Sequence, residues 1–334
     1  MVKVGIIGYG YWGPNLVRNF YAADNCVLHS LADLRANRLE AMKKTFPMVR
    51  TTTNVDEVIY NNEIDAVVIA TPVFTHFLLA KKALEAGKHV LIEKPMTYSR
   101  AEAEELINLA EQKGRLLMVD HTYLYTGAVQ KIKSVIDSGE IGAIKYFDST
   151  RINLGLFQPD INVLWDLAPH DISVLDHIVN EMPYSVQATG ISHTNNGLEN
   201  IAYLTVNFHS GMIAHFNCSW SSPVKIRSIL IGGDKKMILF DDVAPTEKVK
   251  IYETGYEMTN DEDKKRILID YRVGDIFVPK VSNNEALAGV AADFVNSIIN
   301  STTPVSSAEL GLHVVSILEA GQQSIKSRGK EVLL

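Results

Sequence analysis

Cysteine is nearly missing: 334 residues hold only Cys26 and Cys218, with no C-x-x-C and no zinc-type spacing. That excludes a disulfide framework and a cysteine-bound zinc site, and it suits a reducing, cytoplasmic compartment. No apolar run approaches the roughly 18 residues that span a bilayer. The opening MVKVGIIGYG reads as a strand and a glycine turn, without the organisation of a signal peptide. Basic charge is not in excess either. Lys and Arg total 32 against 39 acids, for a net charge of −7, so nothing draws the chain to nucleic acid or an anionic membrane. Repeats and low-complexity tracts are lacking too. What is left is an ordinary globular composition, 46% hydrophobic and 21% charged, with length for about two domains.

The first third alternates short β-branched runs with helical patterns, which predicts parallel β-α-β units. The strands expected are Lys3–Ile7, Val27–Ala32, Val49–Thr52, Ala66–Ala70, His89–Ile92 and Leu116–Val119. Helices are expected over Ala36–Thr45, Thr75–Ala86 and Arg100–Lys113, the last with Ser99 as N-cap. After about Asp120 the rhythm changes. Helices over Gly127–Ser138 and Trp165–Val179 precede strand-like runs from Tyr184 to about Tyr271, among them Ile201–Phe208, Met212–Trp220, Ile226–Gly232 and Lys248–Tyr252. Short turns between such runs predict an antiparallel sheet. Helices over Glu285–Asn300 and Ala308–Ser327 close the chain. The fold expected is α/β: a Rossmann doubly wound domain over residues 1–122, then an α+β domain over 123–334 with a large, mostly antiparallel open sheet. The C-terminal helix is allowed to pack back on the first domain.

VKVGIIGYGYWGPNL carries Gly8, Gly10 and Gly13 as G-x-G-x-x-G between a strand and a helix. The first glycine makes a tight turn, the second admits a pyrophosphate, and the third lets helix and strand pack closely. Asp33 lies 23 residues beyond Gly10, at the end of the second strand. A carboxylate there accepts from ribose hydroxyls and repels a 2′-phosphate, which favours NAD over NADP. Arg35 and Arg38 are placed to meet a 2′-phosphate if the loop turns. Alternatively, Asp33 caps the helix beginning near Ala36. Thr71, Pro72 and His76, in IATPVFTH, follow the fourth strand and are candidates to line the nicotinamide half, unless Thr75 simply caps a helix.

The fifth strand delivers Glu93 and Lys94 to the same carboxyl edge, just before Pro95. An ammonium there can hydrogen-bond a substrate hydroxyl and stabilise a developing alkoxide, with the neighbouring acid positioning it. In NVLWDLAPHDISVLDHI, Asp166 and His170 stand four apart and share a helical face, although Pro169 interrupts the pattern. A histidine beside a carboxylate can move a proton near neutral pH. A purely structural histidine and a metal cluster with Asp171, Asp176 and His177 are the alternatives; no metal is expected.

Taken together, the glycine turn, the E-K-P after the fifth strand and the D-x-x-x-H pair resemble the glucose–fructose oxidoreductase, inositol dehydrogenase and rhizopine catabolism (Gfo/Idh/MocA) family. PVSSAELGLHVVSILEAGQQS is similar to its closing helix. The resemblance implies an NAD(P)-dependent dehydrogenase acting on CH–OH groups. It makes Lys94 catalytic and adjacent to the nicotinamide, His170 the proton acceptor, and Asp166 its orienting acid. It also implies a cis Lys94–Pro95 peptide and a homodimer or homotetramer built through the second domain's sheet. Tyr11, Trp12 and Glu93 join the cofactor contacts; Tyr123, Tyr125, Arg151, Asn153 and Trp165 join the substrate contacts. Tyr9, Tyr11 and Trp12 depart from the small residues usual around the turn, and VDHTYLYTG from an asparagine–arginine pair. GYWGPNLVRNF, HTYLY and WDLAPHD look most like nucleotide-sugar members, some of which oxidise the 3-hydroxyl of a UDP-N-acetylhexosamine. Lys225 and Arg227 would then meet a diphosphate, or else be solvated strand charges. An inositol or aldose dehydrogenase and a non-catalytic NAD sensor are the competing readings. No Y-x-x-x-K occurs, so short-chain dehydrogenase chemistry is not supported.

Overall fold

Aliphatic runs that are apolar on both faces need cover on both sides, which a parallel sheet flanked by helices provides. The computed structural model describes residues 1–155, 157–194, 196–257, 270–272 and 274–334. Its first sheet is made of β1 (Val2–Ile7), β2 (Cys26–Ala32), β3 (Arg50–Thr52), β4 (Ala66–Ile69), β5 (His89–Glu93) and β6 (Leu117–Asp120). All of its neighbours pair in parallel, in the order β3-β2-β1-β4-β5-β6. The helices between them are α1 (Gly13–Ala22), α2 (Ala36–Thr45), α3 (Asp56–Ile59), α4 (His76–Glu85) and α5 (Arg100–Lys113). Every residue of β4 and β6 is buried. Each such Val, Leu or Ile contributes roughly 1.5–3 kcal/mol over its exposed form. Ser99 does cap α5, its hydroxyl accepting the Glu102 N–H at 3.3 Å, and Gly114 ends that helix in the left-handed region.

The strand order reverses between β1 and β4, so the crevice outside their carboxyl ends is where such sheets collect ligands. By its contacts the chain forms two compact units. The first comprises 1–125 and 284–316; the second comprises 126–283 and 317–334. The first unit thus includes α8 (Ala286–Asn300) and the beginning of α9 (Ala308–Lys326). Arg18 grips Glu285 with two hydrogen bonds, and the rings of Phe20 and Phe294 meet edge-on at 6.1 Å.

In the second unit α6 (Gly127–Asp137) precedes β7 (Ile144–Leu154) and α7 (Val163–Ile178). Then come β8 (Pro183–Ile191), β9 (Ile201–Phe208), β10 (Ile213–Ser219), β11 (Ser221–Gly233), β12 (Met237–Asp241) and β13 (Val249–Tyr252). A hairpin pairs β14 (Gly255–Glu257) with β15 (Asp270–Arg272), and β16 (Ile276–Phe277) and β17 (Val332–Leu333) complete the strands described. The nine-stranded sheet runs β16-β13-β12-β11-β7-β10-β9-β8-β17. Among the described strands it is antiparallel except where β7 meets β10. The central strand β7 was not expected. Its buried face carries Phe147 but also Ser149 and Arg151, which read as surface residues until their partner is known.

Pro169 does not end α7. It removes one helical N–H, an interior cost of about 3 kcal/mol. Burial of Leu164, Ala168, Ile172, Leu175 and Ile178 offsets that loss. The helix packs on β7, β9 and β10.

Candidate cofactor and catalytic site

In the first unit, the groups expected at the cofactor sit at the carboxyl ends of β1, β2, β4 and β5. Gly8 has φ +103°, and a Cβ there would run into the Ala70 carbonyl oxygen. A Cβ on Gly13 would stand 2.7 Å from the Gly8 oxygen, so the start of α1 lies tight on the turn. At Gly10 the nearest atom to a Cβ is Arg38 Nη1, at 3.7 Å, and the turn is open. The N-terminus of α1 has no side-chain cap and no acid in its first turn. An open glycine turn beneath an uncapped helix start fits a pyrophosphate. Tyr11 stands almost fully exposed beside it, and Trp12 is partly exposed.

Asp33 is 6% exposed. Its Oδ2 accepts the Tyr9 N–H at 2.7 Å, and its Oδ1 accepts the Arg35 N–H at 2.8 Å and Nε–H at 3.2 Å. Burial opposes ionisation, but the Arg35 and Tyr9 amides and the Arg35 guanidinium together hold the carboxyl below its ordinary range. It does not cap α2, whose N-cap is Arg35. Arg38 donates to the Tyr9 carbonyl at 2.7 Å, so this arginine braces the glycine turn.

His76 is buried rather than displayed. Its Nδ1 lies 2.9 Å from the Pro95 oxygen and its Nε2 lies 2.8 Å from the Thr71 oxygen. It ties the end of β4 to the turn after β5. Burial holds its pKa down, against the carbonyl contacts, with Lys94 adding to the depression. Pro72 is exposed, and the Thr71 and Thr75 hydroxyls meet at 2.7 Å. The Thr75 hydroxyl donates to the Pro72 oxygen and does not cap α4.

Glu93 ends β5 and Lys94 follows, half-buried, with a cis peptide to Pro95. Three neighbours escaped the sequence reading. Asp120 pairs in register with Glu93 and is 2% exposed; Thr122 Oγ1 donates to its Oδ1 at 2.7 Å. His121 is 1% exposed, and neither ring nitrogen has a partner. Burial, then the Lys94 charge, brings its pKa down to about 3. The signal was available: Asp120 and His121 close β6 as Glu93 and Lys94 close β5. Tyr123 is half-buried in the 3₁₀ turn Thr122–Tyr125. Tyr125, expected at the substrate, is instead a framework residue. It is 8% exposed, its hydroxyl donates to Asp293 Oδ2 at 2.6 Å, and it accepts the Ser306 N–H at 3.2 Å.

In the second unit, Asn162 caps α7, its Oδ1 accepting the Trp165 N–H at 3.1 Å and its amide reaching Glu199 and Gln322. Asp166 and His170 follow on one face, both half-buried, while Trp165 is buried. Trp220 Nε1–H donates to Asp166 Oδ2 at 3.1 Å. No local pattern could reveal that bond across 54 residues. Arg151 is also corrected. It is 4% exposed and engages Asp171 through Nε at 2.8 Å and Nη2 at 2.6 Å, with Ser149 Oγ donating to the same carboxylate at 2.7 Å. A fork-on-carboxylate pair in a sealed core is a framework for β7 and α7, not a displayed sugar contact. Asn153 is half-buried on β7. Lys225 is exposed, and Arg227 stands 3.6 Å from Asp242. Among the described residues no cluster of three potential metal ligands forms, and no helix is long and apolar enough to cross a membrane.

Two family models match. One, described as the oxidoreductase family with NAD-binding Rossmann fold, covers residues 2–121; the other, the GFO/IDH/MocA C-terminal domain, covers residues 129–239. A UDP-N-acetylglucosamine 3-dehydrogenase from Acidithiobacillus ferrooxidans is 30% identical over 65% of this chain and 67% of its own. A scyllo-inositol 2-dehydrogenase (NADP(+)) from Bacillus subtilis is 27% identical over 70% of this chain and 63% of its own. The solved structure of the Acidithiobacillus enzyme superposes with a TM-score of 0.79 over 97% of this chain and 98% of that one, at 24% identity.

Proposed function

The chain belongs to the GFO/IDH/MocA family of NAD-binding oxidoreductases, and on that premise we propose that it oxidises a secondary hydroxyl of a nucleotide-linked sugar, the 3-hydroxyl of a UDP-N-acetylhexosamine. The observation that carries the chemistry is Lys94, set beyond β5 on the sheet edge that also bears the open glycine turn. The choice of sugar rests on the 30% identity to the UDP-N-acetylglucosamine 3-dehydrogenase.

The glycine turn holds the pyrophosphate of NAD, and Asp33 accepts from the adenosine ribose. Bound NAD supplies the hydride acceptor, so the carbinol carbon leaves as a ketone. Every other duty falls to side chains of this chain. His170 takes the hydroxyl proton, Asp166 orients the imidazole, and Lys94 donates to the oxygen as negative charge grows on it. Tyr123 and Asn153 contact the sugar, while Tyr125 and Arg151 hold the elements that present them.

The second sheet leaves Tyr203, Ile213, Ile226 and Leu230 exposed on β9, β10 and β11. These side chains support pairing with a second copy of the chain. Both cysteines are free and buried, which supports a place in the cytoplasm.

The test is a nicotinamide-absorbance assay on UDP-N-acetylhexosamines, free aldoses and inositols, each with NAD and NADP. The nucleotide sugars with NAD should react fastest. Turnover confined to inositols, which the inositol dehydrogenase relative makes the second reading, would replace the substrate assignment. Strong NADP preference would remove the role of Asp33.

A further inference from the structure

The acids that end β5 and β6 each have one oxygen accounted for and one that is not. Glu93 Oε2 accepts the Lys94 N–H at 3.0 Å, and Asp120 Oδ1 accepts the Thr122 hydroxyl at 2.7 Å. Glu93 Oε1 and Asp120 Oδ2 are sealed from solvent, and neither has a hydrogen-bond donor. Glu93 is half-buried as a residue, so the seal is on that atom. The two residues stand opposite one another in register, and their carboxyl groups interact directly. A buried oxygen without a donor is costly, and two adjacent buried carboxylates cannot both stay ionised. One proton removes both difficulties. It is the donor each orphan oxygen lacks, and it cancels one of the two charges.

We propose that Glu93 and Asp120 share a single proton, forming a carboxylic acid–carboxylate bridge between β5 and β6 whose one negative charge positions the Lys94 ammonium. The groups that face the bridge agree with that charge count. Lys94 acts on Glu93, Asp120, His121 and His76 alike. His121 and His76 are held neutral, chiefly by burial. The Thr122 hydroxyl and the Trp12 indole favour the charge on Asp120. Burial first, and then the neighbouring carboxylate, push Glu93 well above its ordinary range, and burial raises Asp120 too, as a proton common to the pair requires. One ammonium and one shared-proton anion leave this interior neutral. Two carboxylates would leave it negative and two acids would leave it positive. The bridge also clamps the two strand tips just where backbone pairing stops, which sets the direction in which Lys94 leaves β5. Both residues are therefore positioning residues.

The functional half of this proposal rests on the role given to Lys94 above, and the test separates the two. Infrared spectra of the full chain, with and without ¹³C-labelled Asp and Glu, should show a protonated carboxyl C=O band at neutral pH without any substrate. The band should vanish in Glu93→Gln and in Asp120→Asn, because each amide supplies the missing donor and leaves a plain carboxylate. A folded wild-type chain with no such band overturns the proposal, whatever its activity. A band in a chain that oxidises no sugar leaves the bridge standing and removes the substrate reading. In turnover, each single amide keeps one negative charge and should lower kcat by about tenfold. The Glu93→Gln/Asp120→Asn double variant loses the charge and should fall by about a thousandfold, well beyond the product of the singles. Equal losses in single and double variants would overturn the charge argument; if the double fails to fold, the infrared result on the wild type and single variants decides.

Discussion

The two units hold their chemical groups in different ways. On the first sheet, Asp33, Thr71, Lys94 and Asp120 each follow or end a parallel strand, and backbone register alone brings them to one edge. On α7, Asp166 and His170 depend on side chains from elsewhere: Asn162 at the cap, Trp220 from the sheet, and the Arg151–Asp171 pair beneath. Backbone register brings a group to its edge whatever its neighbours, provided that the strand survives, and leaves only its fine direction to side chains. A group placed by hydrogen-bonded side chains is lost when one distant partner is lost.

Variants can break or sharpen that contrast. The largest effect is expected for Lys94→Ala. NAD affinity should hold within about threefold while kcat falls by about 10³, the upper end of what one oxyanion donor is worth. Fluorescence titration and steady-state kinetics read the two numbers, and retained turnover would remove Lys94 from catalysis. Next comes Asp171→Ala, which removes the carboxylate that accepts two hydrogen bonds from the buried Arg151 guanidinium. It should cost about 3–5 kcal/mol in denaturant unfolding, and no loss would show the pair to be dispensable. Trp220→Phe removes the indole N–H that Asp166 accepts and shrinks a fully buried ring. We expect kcat to fall by about tenfold and the acidic limb of its pH profile, set by the His170 base, to move, with nucleotide affinity unchanged. An unaltered profile would detach Trp220 from the proton path.

A further effect is on acid stability. The pKa of His121 is about 3 in the fold against an ordinary 6.5, so below about 6.5 the unfolded chain takes a proton that the fold refuses. Stability from this group is complete above that pH and falls by up to about 1.4 kcal/mol per unit as pH drops toward 3. His121→Asn should flatten the curve between pH 6.5 and 4 relative to the parent. Parallel curves would show that His121 is not the neutral group described.

How much of this was legible follows the same division. The parallel sheet, the glycine turn, Asp33 and the E-K-P tip could be read because each signal is local: an apolar run, then a turn, then a functional side chain. Asp120 and His121 obey the same rule, but no glycine or proline turn follows them to mark the strand tip. β7 was hidden for a physical reason. Arg151 and Ser149 break the apolar alternation, and only Asp171, 20 residues away on α7, makes their burial tolerable. Pro169 shows the opposite case: propensity alone argues for a break, yet the helix expected over Trp165–Val179 forms through it because tertiary burial overrides that cost. The hydroxyl of Tyr125 belonged to Asp293 and Ser306, far along the chain.

The return of residues 284–316 to the first unit has a consequence for how the chain is made. A ribosome delivers the whole parallel sheet long before α8 and the first turns of α9 emerge. Until then Phe20, Val119 and Tyr125 lack Phe294, Ser306 and Asp293, and Arg18 lacks Glu285. The nucleotide-binding sheet is thus synthesised well before the residues that complete its unit. Its closure waits on residues 284–316, and a nucleotide present during synthesis would meet a half-sealed cradle first.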